Sequence, residues 1–195
     1  MAIAVEDIKK LRELTGAGMM KAKEALETTG GDMDKAMVWL REKGEASAAK
    51  RSEREARAGM VEAYVHGGRI GVLVEINCET DFVARTDDFK DFARDIAMHV
   101  AAANPEYITP EQVPAEVVEQ ERAIYRKEVE GKPAEIVDKI VEGKLAKYYE
   151  SICLMNQSFV KDPDQTVGTL TTNLSAKLGE NIVIRRFVRY ELGQL

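Results

Sequence analysis

The first part of the chain, residues 1–44, contains apolar residues spaced at the helical period between polar ones. Three such patterns are present, separated by the stretches "TGAG" at 15–18 and Gly30-Gly31. Glycine is a poor helix former, and Asp32 can cap a helix that starts after it. The sequence therefore predicts three short helices around one small core. Their inward positions are Val5, Ile8 and Leu11, then Met19, Ala22 and Leu26, then Met33, Ala36, Met37 and Leu40.

Residues 45–57, "EASAAKRSEREAR", contain no large apolar side chain. The pattern predicts a solvated linker with some helix. A basic patch for nucleic acid is the alternative, but three glutamates are interleaved with the arginines and lysines. We therefore predict a helical module over 1–44, a charged linker over 45–57 and a core domain over 58–195.

After the linker the apolar period changes to that of β-strands. The stretch "MVEAYVHGGRIGVLVEINC" alternates, turns at Gly67-Gly68 and alternates again, which is typical of a β-hairpin. One face of the second strand carries Ile70, Val72, Val74, Ile76 and Cys78. Cys78 therefore extends the apolar face, where a thiol packs as a small hydrophobic group.

Helical spacing returns at 86–103, where Thr86 can cap the helix. Its inward positions are Phe89, Phe92, Ala93, Ile96 and Val100. The second half, "IAMHVAAA" at 96–103, is apolar nearly all round. A helix of that kind is buried on every side or meets a partner.

The remaining chain predicts three more helices and one strand. The helices are a mostly charged, exposed one from near Pro114 to about Glu130, an amphipathic one from Pro133 to about Ile152, and a short one over 167–178 that Gly179 ends. We expect "VKDPDQ" at 160–165 to be a loop and "NIVIRRFVRYEL" at 181–192 to be a strand. The predicted fold class is α+β, with a small antiparallel, three-stranded sheet that needs helices over one face.

Composition and charge narrow the functional class. The 195 residues are 45% hydrophobic and 32% charged, as in an ordinary globular protein, and the net charge is −6. This acidity argues against sequence-independent binding to nucleic acid, which needs a basic surface. Two cysteines make no disulfide framework, no apolar run reaches the roughly 20 residues that cross a membrane, and the acidic N-terminus is unlike a signal peptide. We therefore expect a cytoplasmic protein whose partner is another protein.

The sequence offers weak candidates for enzyme chemistry. Cys78 could be a nucleophile with His66 or His99 as its base, but Cys78 lies on the inward face of its strand. Glu79 and Asp81 are two residues apart at a strand end, without a fixed acid–base separation. The sequence contains neither a phosphate-binding glycine loop nor a zinc-ligand pattern. We therefore predict that the chain is not an enzyme and has no cofactor or metal of its own.

Several apolar residues are placed where a core does not need them. Met19 and Met20 adjoin the glycine turn, and two adjacent helix residues cannot both face one core, so one methionine is expected to be exposed. Methionine is common at adaptable binding surfaces. Phe82 follows "ETD" at the end of a strand. Its ring either folds back into the core or points outward as a binding element.

Six stretches of the chain resemble one known family. They are "TGAGMMKAKEAL", "INCETDFVAR", "IAMHVAA", "GKPAEIVDKIVEGKLAKYYE", "FVKD" and "GENIVIRRFVRYELG". Together they resemble elongation factor Ts, the bacterial nucleotide exchange factor for elongation factor Tu, and the resemblance covers essentially the whole chain. The stretches "TGAGMM" and "NCETDFVAR" are the most specific. The resemblance implies an N-terminal module like a ubiquitin-associated domain, followed by an α+β dimerisation core.

The resemblance also implies a mechanism. In the family, an Asp-Phe pair enters the GTPase domain of elongation factor Tu near its Mg²⁺ and phosphate site. Disturbing the Mg²⁺ ligands removes charge neutralisation from the phosphates, so GDP leaves. The partner would be bound in its GDP-bound and nucleotide-free forms. The matching residues here are Asp81 and Phe82 flanked by Thr80 and Val83, with Arg12, Met19 and Met20 docking the N-terminal module and His99 on the helix that supports the entering loop.

The number of core units bears on the oligomeric state. Longer family members carry two tandem copies of the core unit and a coiled-coil insertion, whereas this chain carries one copy. One copy leaves a sheet face uncovered, so the resemblance implies a homodimer. A scaffolding protein, with a helical module tethered to a dimerisation domain, remains the alternative function. Release of labelled GDP from elongation factor Tu distinguishes the two, because a scaffold would leave the rate unchanged.

Overall fold

A computed structural model describes residues 3–131 and 133–194 of the chain. Its helices are α1 (Val5–Thr15), α2 (Met19–Thr28), α3 (Met33–Arg51), α4 (Asp81–Ala84), α5 (Asp87–Ala103), α6 (Ala115–Glu128), α7 (Ala134–Ile152) and α8 (Val167–Leu178). Its strands are β1 (Ala58–His66), β2 (Ile70–Cys78), β3 (Ser158–Phe159), β4 (Asp162–Thr166) and β5 (Val183–Glu191). Single 3₁₀ turns lie at Pro110–Gln112 and Leu154–Asn156. The α+β fold class predicted from the sequence is confirmed.

The main sheet has three strands in the order β1-β2-β5. The first two form the predicted hairpin, whose turn is closed by a hydrogen bond from the Arg69 backbone N–H to the His66 carbonyl (3.0 Å). Gly67 and Gly68 both have positive φ, 55° and 68°. Two successive positive φ angles match the twist of paired strands and favour glycine, so the Gly-Gly pair fixes the hairpin register.

A second, two-stranded sheet pairs β3 with β4. The strands are antiparallel, with Ser158 opposite Thr166 and Phe159 opposite Asp162. The prediction of a loop over 160–165 is therefore wrong in part. The residues of β4, "DPDQT", have no apolar alternation to signal a strand, and the pairing depends on β3, which is only two residues long.

The described chain forms two compact units. The first consists of residues 3–60, 76–91 and 170–183, and the second of 61–75, 92–169 and 184–194. In the first unit, α1, α2 and α3 enclose one core, as the three apolar patterns predict. Its buried members are Ile8, Leu11, Ala22, Ala25, Leu26 and Ala36, with Ile3, Met33, Met37, Trp39 and Leu40 packed against them. The inward placement of Val5 and Met19 is wrong, because each is the first residue of its helix and lies on the surface, 56% and 41% exposed. The Asp32 side chain caps α3 by accepting a hydrogen bond from the Lys35 N–H (3.0 Å).

The helix α3 extends to Arg51 and therefore includes the first half of the 45–57 segment. A Cβ added at Gly44 would lie 3.3 Å from the Cβ of Ala176, so α3 and α8 approach closely at this point. One guanidinium N–H of Arg51 donates to the Ser175 carbonyl (3.4 Å). The domain boundaries at 44 and 57 remain a prediction, and the end of α3 has contacts that a free linker would not have.

In the second unit, α6 and α7 pack as an antiparallel helix pair with a small core of their own. The buried members are Val129, Val141 and Leu145, with Val118, Tyr125, Val137, Ile140 and Tyr149 around them. The helix α6 has no buried residue, as its charged sequence predicts. Elsewhere in this unit the inward positions of β2 and α5 are buried, among them Val72, Val74, Phe92, Ile96 and Val100.

Candidate functional site

The strand β2 ends at Cys78. Residues 79–83, which we call the Phe82 turn, consist of the two residues after this strand and the first three residues of the single-turn helix α4. Thr80 has extended backbone angles, and its hydroxyl accepts a hydrogen bond from the Val83 N–H (3.5 Å). It is therefore the N-cap of α4. The side chain of Phe82 is 88% exposed, and that of Asp81 is exposed beside it. The sequence left two orientations for this ring, folded into the core or pointing outward, and in the structure it points outward.

Cys78 lies at the start of the Phe82 turn with a buried, hydrogen-bonded thiol. Its side chain is completely buried, and the thiol donates to the Thr80 carbonyl (3.2 Å). Burial, and secondarily the nearby Glu180 carboxylate, raise the pKa of the Cys78 thiol to about 11. At neutral pH the thiol stays protonated, and a protonated thiol is a poor nucleophile.

The side chain of Glu180, in the connection between α8 and β5, holds the Phe82 turn. Its Oε2 accepts hydrogen bonds from the backbone N–H groups of Glu79 (3.0 Å) and Thr80 (3.1 Å). Its Oε1 accepts from the Thr80 hydroxyl (2.6 Å). In return, the Glu79 carboxylate accepts from the Asn181 backbone N–H (2.7 Å). Two segments about one hundred residues apart in sequence are thus paired through both of their carboxylates.

The far end of the Phe82 turn is fixed by the start of α5. The Thr86 hydroxyl donates to the Val83 carbonyl (2.8 Å) and accepts from the Phe89 N–H (3.3 Å), so the predicted cap is present. The Asp88 carboxylate in the first turn of α5 forms an ion pair with Lys177 of α8 (2.6 Å). The turn that presents Phe82 is therefore bounded on both sides by defined hydrogen bonds.

The other predicted partner-binding residues of the first unit lie on the surface of the N-terminal helices. Arg12 is exposed near the end of α1, and Met19 and Met20 at the start of α2 are 41% and 76% exposed. Leu14, which was not among the predicted binding residues, is also 60% exposed on α1. Gly16, with φ of 67°, ends α1.

His99 is placed differently from the other candidates. Its ring is fully buried in the second unit. Nδ1 accepts a hydrogen bond from the Val160 N–H (3.2 Å), and Nε2 lies 2.9 Å from the Gln157 Oε1. Because Nδ1 is an acceptor, the proton is on Nε2, which donates to Gln157. Burial lowers the pKa of His99, so the ring is neutral at pH 7.

The outer face of the three-stranded sheet carries exposed apolar side chains in the second unit. Glu75 of β2 and Arg186 of β5 form an ion pair (2.7 Å), which places them on the same face. Because side chains alternate along a strand, Leu73, Val188 and Tyr190 share this face. The exposed apolar residues on the three strands are Val61, Val65, Leu73, Val188 and Tyr190.

Within residues 3–131 and 133–194, no group of three or more histidine, cysteine, aspartate or glutamate side chains is arranged to hold a metal ion. Of the helices in the described part of the chain, none has both the length and the apolar character required to cross a membrane.

Comparison with known proteins identifies the family. The family model described as "Elongation factor TS" matches residues 2–194. The elongation factor Ts of Carboxydothermus hydrogenoformans is 61% identical over 195 residues, which cover 98% of this chain and 90% of that protein. The proteins of the same name from Heliobacterium modesticaldum and Syntrophus aciditrophicus are 60% and 56% identical, covering 96% and 100% of this chain and 88% and 98% of their own lengths. The chain therefore belongs to the elongation factor Ts family.

Proposed function

We propose that this chain is a guanine nucleotide exchange factor for elongation factor Tu, and that it promotes GDP release by bringing Asp81 and Phe82 into the Mg²⁺ and phosphate site of that partner. Its membership of the elongation factor Ts family supports the exchange activity. The observation that supports the mechanism is the 88% exposed ring of Phe82 on a turn held at both ends. A large aromatic ring displayed in this way is typical of a binding hot spot.

The proposed action of Phe82 and Asp81 is to displace groups that surround the Mg²⁺ and the phosphates of the partner. In a GTPase, Mg²⁺ bridges phosphate oxygens and protein oxygens, and it neutralises the charge on the phosphates. A carboxylate and an apolar ring entering this region compete with those oxygens and exclude water from them. The bound GDP then loses part of its attraction to the site. Binding of the exchange factor and binding of GDP weaken each other by the same factor, since coupling between two ligands is reciprocal.

We propose that Arg12, Met19 and Met20 dock the N-terminal helices on the same partner. All three side chains are exposed in the first unit, which also contains the Phe82 turn. Met20 and Leu14 together offer flexible apolar surface, and Arg12 adds a fixed positive charge. Docking of this kind supplies affinity in every nucleotide state of the partner. The Phe82 turn supplies the coupling to GDP.

Exchange of this kind makes and breaks no covalent bond, so we propose that the chain is not an enzyme and holds no cofactor. The Mg²⁺ and GDP concerned belong to the partner. We further propose that it works in the cytoplasm during translation elongation, with no direct contact to nucleic acid. The net charge of −6 supports that last point, because a surface of this sign repels phosphates.

The assignment of His99 to the partner-binding set remains a prediction. The ring has both nitrogens engaged within its own unit, by Gln157 and Val160. Direct contact with a partner would require this side chain to leave its present hydrogen bonds. We therefore propose that His99 acts by holding the segment 157–160 in place.

We propose that the chain forms a homodimer through the outer face of the three-stranded sheet. Five exposed apolar residues, Val61, Val65, Leu73, Val188 and Tyr190, lie on its strands. Exposed apolar side chains gathered on the strands of one sheet are typical of an interaction site. A second copy is the occupant we favour, because a two-fold contact buries the same face on both protomers.

The proposed function is tested by release of labelled GDP from elongation factor Tu. The exchange factor is added in catalytic amounts to a preformed complex with excess unlabelled nucleotide. We expect release to accelerate with the concentration of the factor and to saturate. A rate that is unchanged at every concentration contradicts the proposal and favours the scaffolding alternative.

A further inference from the structure

The Phe82 turn has little means of holding its own shape. The helix α4 has four residues, and one isolated helical turn is unstable in water because its nucleation is unfavourable. Asp81 and Phe82 are exposed, so their side chains add almost nothing to a core. The conformation that displays Phe82 must therefore be supported by groups outside residues 79–83.

Glu180 supplies that support with one carboxylate. Its two oxygens accept three hydrogen bonds, from the N–H groups of Glu79 and Thr80 and from the Thr80 hydroxyl, at 2.6 to 3.1 Å. Hydrogen bonds to an ionised acceptor are stronger than those between neutral groups. The bond to the hydroxyl has a second effect. It orients the lone pairs of the Thr80 oxygen toward the Val83 N–H, which is the cap of α4.

Glu180 is itself held in place by its surroundings in the first unit. Its carbonyl accepts a hydrogen bond from the Ser175 hydroxyl (2.6 Å). The next residue, Asn181, donates through its side-chain amide to the carbonyls of Arg54 (2.8 Å) and Ser52 (3.3 Å). The carboxylate therefore extends from a backbone segment that is held by hydrogen bonds, and this allows it to restrain the Phe82 turn.

We propose that Glu180 is a positioning residue for nucleotide exchange, which holds the Phe82 turn in its protruding form before the partner is met. The inference rests on the exchange function proposed above. A binding element ordered in advance loses less conformational entropy on binding. If the protruding form were only partly populated, the effect of Phe82 on the partner would be reduced by that fraction.

The substitution Glu180→Ala removes all three hydrogen bonds and leaves every proposed partner-binding side chain in the protein. We expect GDP release at saturating factor to fall about tenfold, which corresponds to about 1.4 kcal/mol. The concentration that gives half of the maximal rate should change less than about threefold, because docking through Arg12 and Met20 is untouched.

The conservative substitution Glu180→Gln separates positioning from charge. The glutamine amide oxygen can still accept from the N–H groups of Glu79 and Thr80, and its NH₂ group can donate to the Thr80 oxygen. We expect it to keep the maximal rate within about threefold of the unsubstituted protein. Glu142→Ala is the matched control, since it removes an exposed carboxylate of the second unit that is paired with Arg122 (3.1 Å) and takes no part in the Phe82 turn. It should leave the rate unchanged.

Amide hydrogen exchange of the free protein measures directly how stable the Phe82 turn is. In Glu180→Ala, exchange should accelerate at residues 79–83 and remain unchanged in α1 and α2. The proposal is overturned if Glu180→Ala releases GDP at the normal maximal rate, or if Glu142→Ala loses as much activity with an equal fall in melting temperature. If the unsubstituted protein leaves GDP release unchanged, the proposed function fails. The amide hydrogen exchange rates of Glu180→Ala at residues 79–83 then still show whether Glu180 holds the turn. If those rates are unchanged from the unsubstituted protein, the positioning role of Glu180 is rejected.

Discussion

The exposed ring of Phe82 gives the sharpest prediction, because its contribution to folding stability and its contribution to GDP release can be measured separately. The side chain is 88% exposed, so about 12% of it is buried in the free protein. An aromatic ring has about 200 Å² to bury, so Phe82→Ala removes about 25 Å² of buried surface. At about 25 cal/mol per Å², this costs about 0.6 kcal/mol of folding free energy.

The same ring should matter far more in the complex. Burial of its remaining surface against elongation factor Tu is worth at most about 4 kcal/mol on the same scale, and aromatic hot spots typically cost about 2 kcal/mol or more when truncated. A loss of about 2 kcal/mol is a factor of about 30. We therefore expect Phe82→Ala to slow GDP release at saturating factor about 30-fold. Met20→Ala should instead raise the concentration needed for half of the maximal rate.

Phe89 is the matched control for stability, since it is the same residue type, seven positions along the chain, with a side chain that is completely buried. Phe89→Ala should cost about 3–5 kcal/mol. For a chain of this length, each kcal/mol lowers the melting temperature by about 2–4 °C. We expect a fall of about 6–20 °C for Phe89→Ala and of about 1–3 °C for Phe82→Ala.

The measurements are a thermal melt of each free variant and the labelled-GDP assay over a range of factor concentrations. The reasoning is refuted in either of two ways. If Phe82→Ala melts as low as Phe89→Ala, the ring packs against the protein and is not displayed. If it melts normally and still gives the full maximal rate, the ring is displayed but does not act on the nucleotide site.

Three further predictions follow from other parts of the structure. Cys78, whose pKa is raised to about 11, should react with a thiol reagent at pH 7.5 only after denaturation, and rapid labelling of the native protein without denaturant would contradict its burial. The pKa of His99 is lowered in the folded state, so its contribution to stability is complete above about pH 6.5 and is lost as the pH falls toward the folded pKa. Urea unfolding between pH 7.5 and 5.5 should show this loss of stability. The stability of His99→Gln should depend less steeply on pH over the same range. Sedimentation at micromolar concentration should give about twice the 21.7 kDa chain mass, and Leu73→Asp should give the single mass; a native monomer with full exchange activity would exclude the sheet-face dimer.

Local patterns in the sequence were sufficient for most secondary structure. The predicted limits of α2 and α8 match the structure, because glycines flank the start of α2 and the end of α8, and the apolar period fills the interval. The hairpin followed from Gly67-Gly68, since a two-residue turn with positive φ needs such residues. The burial of Cys78 followed from the alternation of side chains along β2, because Cys78 lies on the same face as Val72, Val74 and Ile76. These features depend on interactions within a few residues of one another.

The tertiary structure decided the features that depend on residues distant in sequence. No local pattern fixes whether Phe82 faces inward or outward, because a single turn after a strand can adopt either orientation. The hydrogen bonds of Glu180 to Thr80 join positions one hundred residues apart, and an isolated glutamate after Gly179 is indistinguishable in sequence from a solvated one. The burial of His99 depends in the same way on Gln157 and Val160, which the chain brings to it only after two long helices. Periodicity reports which face of an element is apolar, whereas the partner of a polar side chain is set by the packing of the elements against each other.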